Sequence, residues 1–162
     1  MLNYLNILFL VIAGILLQTV FFPDFLIDSF QPNLLVVFVV YLGFRSDVRF
    51  GAFSSFLLGL VQDSLSGIYF GLNGFCYLLV YFLFRETASR LYTESRTLMV
   101  IGAFLATVII AFVQLLLLLV FSASYGVYAS LLAAIPTQGL VNAIASGVVF
   151  SLLPRAGKGR HQ

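Results

Sequence analysis

Residues 51–74 read GAFSSFLLGLVQDSLSGIYFGLNG. An apolar stretch carries small residues at Gly51, Ser55 and Gly59 and then an acid at Asp63, each four apart. Positions four apart lie on one inclined ridge of a helix, so this ridge is flat and ends in a carboxylate. A turn marked by Gly67, Gly71 and Gly74 follows. Whether such a stretch is a soluble helix or a membrane helix depends on what surrounds it.

The surroundings are lipid-soluble. Of 162 residues, 62% are hydrophobic and 9% charged, and the mean hydropathy is +1.11. A soluble domain carries roughly 25% charged residues. Eight basic and six acidic side chains cannot coat a water-facing globule of this length. The chain is therefore expected to be an integral membrane protein. Runs such as Leu115–Phe121, LLLLLVF, exclude the alternation of a membrane β-barrel. Helices satisfy their own backbone in hydrocarbon, so the fold class is all-α. The single cysteine, Cys76, permits no internal disulfide and reads as a packing residue. The first 22 residues have no base before a long apolar run, so they read as a first span rather than a cleaved leader.

Six spans are expected, at about 4–22, 32–45, 49–63, 72–85, 98–121 and 131–153, in one membrane domain with a basic tail at 154–162. Pro23 and Asp24 read as the stop of the first span, and 23–33 as a loop with room for a short interfacial helix. The second and third spans are short for about 30 Å of hydrocarbon. They are either two full spans drawn into the membrane, which we favour, or a re-entrant hairpin. With six spans every base falls on one side, at 45–49, 85–96 and 155–160, and the other side receives Asp24, Asp28 and Asp63. The positive-inside rule then places both termini in the cytoplasm of a multi-pass inner-membrane protein. The basic tail suits a topology signal or contact with anionic lipid. Three bases and His161 are too few for a nucleic-acid arm.

Few polar residues fall within the spans. Gln138, Asn142 and Ser146 form a polar ridge on the last span, beside a small-residue ridge of Gly139, Ala143 and Gly147. Small residues at this spacing let helices approach closely in lipid, inside the bundle or across its surface. Asp63, Asn73, Gln138 and Asn142 are the candidates for a ligand or partner site, lining a polar cavity open to the outer side. Asp63 has two readings: it ends its span and caps the following turn, or it contacts a ligand or partner. No HExxH, GxSxG, P-loop or paired Cys/His spacing is present, so no catalytic residue, metal site or cofactor is expected. Only one acid lies inside a span, which leaves a proton relay without a second station.

The stretches PNLLVVFVVYLGFRSD (32–47), GAFSSFLLGLVQDSLSG (51–67) and GLNGFCYLLVYFLFR (71–85) resemble the MreD family of bacterial rod-shape-determining membrane proteins. The matching positions are Pro32, Leu34–Leu35, Leu42–Arg45, Gly59, Asp63, Ser66–Gly67 and Gly71–Asn73, within residues 30 to 90. The resemblance implies a non-enzymatic scaffold subunit of the cell-elongation machinery, serving lateral peptidoglycan synthesis. It implies MreC as direct partner, with MreB and the RodA–penicillin-binding-protein synthase reached indirectly. The family is similar in fold to the S components of energy-coupling-factor transporters, which have six helices and an outward cavity. That similarity keeps open a small-molecule or lipid-binding role near Asp63.

Overall fold

A computed structural model describes residues 2–26, 30–45, 48–66, 70–88, 96–121 and 125–152. The turn at Ser46 and Asp47, the turn centre at 67–69, the loop at 89–95 and the tail lie outside these residues. The described residues are helical almost throughout, with no strand among them. The elements are α1 (Leu2–Leu16), a π-helical turn (Leu17–Phe21), α2 (Phe22–Phe25), α3 (Leu34–Arg45), α4 (Val48–Ser66), α5 (Leu72–Ala88), α6 (Arg96–Phe121) and α7 (Tyr125–Leu152). The first three run on from one another, so the described residues form six helical segments.

Among the described residues, three stretches are long and apolar enough to cross a membrane: Leu8–Phe25, Thr97–Val120 and Leu132–Ser151. α3 is apolar but has 12 residues, about 18 Å of rise. Every residue from Leu34 to Phe44 is buried. A helix apolar on all sides belongs inside, and α3 packs against α1, α4, α5, α6 and α7. Tyr77, Val80, Tyr81 and Phe84 of α5 join it in the core.

Contacts at named depths fix the running directions. Tyr77 meets Asn33 and Phe84 lies against Gly43, so α5 is parallel to α3. Asn142 meets Asn33 and Phe150 lies 5.3 Å from the Arg45 guanidinium, so α7 is parallel to both. Gly14 faces Phe38 and Leu34 while Gln18 reaches Leu34, so α1 is antiparallel. α4 and α6 also oppose α5, through Asp63–Asn73 and Gln114–Asn73. Successive segments therefore alternate in direction. Arg45, Arg85 and Arg96 share one end, and Asp63, Asn73 and Gln114 the other.

The first segment does not stop at Pro23. It passes through the proline to Phe25, and Pro23 stands in the first turn of α2. A proline inside a helix removes one N–H and crowds the carbonyl four residues back, here that of Thr19. The turn holding Thr19 is widened to π geometry, which opens that ladder so the helix can continue.

Candidate functional site

The polar side chains of the helices collect where α3 and α5 begin. The first N–H groups of a helix have no partner within it, and in hydrocarbon each must find one. At α5 the partner is Asp63, 2% exposed. Its Oδ1 accepts from the backbone N–H of Asn73 at 2.9 Å and from the Asn73 side-chain amide at 3.0 Å. Its Oδ2 accepts from the N–H groups of Gly71 at 2.8 Å and Gly74 at 3.2 Å. A carboxylate also answers the positive end of the helix dipole. Gly71 reaches this geometry with φ +96°, where a Cβ is strained. Gln114 of α6 completes the group by donating to Asn73 Oδ1 at 2.8 Å.

At α3 three side chains divide the work. Asn142 Oδ1 accepts from the Asn33 N–H at 2.7 Å. Gln18 Oε1 accepts from the Leu34 N–H at 3.1 Å. Asn33 Oδ1 accepts from the Val36 N–H at 3.3 Å, an N-cap geometry, and from the Tyr77 hydroxyl at 3.2 Å. The spare donors continue outward. The Gln18 amide donates to Gln62 Oε1 at 3.0 Å, and the Asn142 amide to Thr107 Oγ1 at 2.9 Å. Ser146 donates to the carbonyl of Ala143 at 2.7 Å.

The four candidate residues therefore do not share one hydrogen-bonded cluster. Asp63 and Asn73 bond to each other, and Asn142 belongs to the α3 group. Gln138, one turn before Asn142, is exposed. Sequence reasoning missed Asn33, Tyr77 and Thr107. Asn33, between Pro32 and an apolar run, carries an N-cap signal; a tyrosine and a threonine within apolar runs carry none.

The small residues act inside the bundle. A Cβ on Gly59 would stand 2.5 Å from the Asn73 carbonyl and the Gly74 Cα, so α4 and α5 touch backbone to backbone. One on Gly139 would meet the Phe104 ring at 2.9 Å, and one on Gly147 only Val100 at 3.6 Å. Gly51, Ser55 and Ala143 are buried. The Ser55 hydroxyl has no hydrogen-bond partner among the described residues. A groove of about 400 Å³ runs along α5, lined by Phe75, Leu78, Leu79, Phe82, Leu83 and Glu86. It is formed by one helix face and brings no convergent polar groups together. No group of three metal-ligating side chains occurs among the described residues.

An alternating six-segment bundle, apolar on its outside and with Asp63, Asn33, Gln18 and Asn142 serving helix starts, defines the class: an all-α membrane protein. The model of one family, rod shape-determining protein MreD, matches residues 1–154, and the chain belongs to that family. It is accordingly a rod-shape-determining membrane protein. No curated protein and no solved structure matches it significantly.

Proposed function

We propose that the protein is a non-enzymatic scaffold of the cell-elongation complex in the bacterial inner membrane, with both termini in the cytoplasm. It binds MreC directly and connects through it to MreB and to the RodA–penicillin-binding-protein synthase. The observation carrying this reading is the use of Asp63: both carboxylate oxygens are taken up by α5 and Asn73. The residue best suited to ligand chemistry is spent on holding two helices together. That supports a frame over a transporter-like receptor with a pocket at Asp63. The shared end of Arg45, Arg85 and Arg96 supports the orientation.

Because the small-residue ridges are used internally, we place the partner's transmembrane helix on the lipid-facing surface. The test is affinity purification of this chain from membranes that also contain MreC. MreC is expected to co-elute in stoichiometric amount from the parent protein. Absence of MreC from the eluate, with both proteins inserted, overturns the scaffold reading.

A further inference from the structure

The outer end of the bundle is stepped. Side-chain hydrogen bonds set the levels. Asp63 of α4 bonds to Asn73 of α5, Gln114 of α6 bonds to the same Asn73, and Gln62, beside Asp63, bonds to Gln18 of the first segment. From this level α4 runs on only three residues to Ser66, about 5 Å of rise, and α5 begins at Leu72. The neighbouring segments go farther. α6 runs seven residues past Gln114 to Phe121, about 10 Å. The first segment runs seven residues past Gln18 to Phe25, again about 10 Å. Asn142 bonds to Thr107, and α7 begins seventeen residues before Asn142, about 26 Å farther out.

The exposed apolar surface follows the step. On α6 it extends from Ile101 to Val120, about 28 Å, which matches a hydrocarbon thickness of about 30 Å. On α4 it extends from Phe50 to Leu65, about 22 Å, with Ser64 and Ser66 exposed at the tip. On α5 it extends from Phe75 to Leu83, about 12 Å, with Glu86 and Thr87 exposed at the inner end. The Ser66 hydroxyl donates to the Asp63 carbonyl. The last carbonyls of a helix have no partner within it, and in full-height hydrocarbon no water would reach those at the end of α4. A bilayer meets a short apolar height by thinning.

We propose that the outer leaflet dips by roughly 5–10 Å against the α4–α5 edge, so that this face of the protein takes a locally thinned bilayer as its partner while α6 and α7 face one of full height. The proposal needs no other protein and is independent of the scaffold reading.

The test uses the full chain in lipid nanodiscs of dioleoyl phosphatidylcholine. The chain contains no tryptophan, so a single introduced indole reports its own surroundings. Phe70, 77% exposed, lies three residues beyond Asn73, and Leu116, 49% exposed, lies two beyond Gln114. Phe70→Trp and Leu116→Trp therefore place the indole at nearly one level, on the low edge and on α6. Iodide dissolved in the water is expected to quench Phe70→Trp several-fold more than Leu116→Trp. Lipid brominated at mid-chain is expected to give the reverse order. Both sites are exposed, so packing is retained, and Leu65→Trp repeats the comparison from α4. Equal quenching of the two levels by brominated lipid means a flat bilayer, and equal quenching by iodide means water on both sides. An indole at 70 reached by neither quencher means that protein covers the edge. Each of these three results overturns the proposal.

Discussion

Asp63 accepts four hydrogen bonds, and three of the donors are backbone N–H groups at the start of α5, which no carbonyl within the helix can serve. Each buried donor left unpaired costs about 1–3 kcal/mol. Asp63→Ala should therefore destabilise the protein by on the order of 3 kcal/mol, read as a lower thermal midpoint in detergent. Asp63→Asn keeps one acceptor oxygen and should lose less. Ser55 gives the opposite sign. Its buried hydroxyl makes no bond, so Ser55→Ala removes an unpaid desolvation cost and should be neutral or stabilising by up to about 1 kcal/mol. A loss of stability in Ser55→Ala would show that the hydroxyl has a partner after all.

At the scale of elements, the two glycine ridges differ in tightness. Gly59→Ala drives a methyl into backbone of α5, which cannot rotate away, and overpacking of this kind costs about 1–3 kcal/mol. Gly147→Ala meets one methyl at ordinary contact distance and gains the better helix former, worth up to about 1 kcal/mol. Thermal midpoints should therefore move down for Gly59→Ala and stay level or rise for Gly147→Ala. Much of this level was legible in the sequence. The apolar run of α6 and the start of α5 at Leu72 follow from hydropathy and glycine placement. The π turn was not legible, because its cause lies in the relation of Pro23 to the carbonyl of Thr19 rather than in any residue preference. Nor was the division of the amides into two groups. Helix spacing gave Gln138 and Asn142 one ridge, but α3 begins beside Asn142 and leaves Gln138 a turn beyond it. Periodicity reports which residues share a face, and it is silent on how far along that face a neighbour extends.

For the whole molecule, the alternation of directions makes a labelling prediction. In the Cys76→Ala background, cysteines at Asp47 and Gln162 should react with a membrane-impermeant thiol reagent only after the cytoplasmic face is opened. A cysteine at Phe70, 77% exposed at the opposite end, should react from outside in intact cells. Position 47 reacting from outside would reverse the bundle in the membrane. The enclosure of α3 also bears on how the protein is made. A segment of 12 residues is shorter than the insertion machinery needs to release a span into lipid by itself, and α3 offers lipid no side of its own. Its surroundings are completed by α6 and α7, synthesised last. Until those emerge from the ribosome α3 has to wait in a sheltered place, so a chain truncated after Ala88 should be cleared by membrane quality control rather than accumulate.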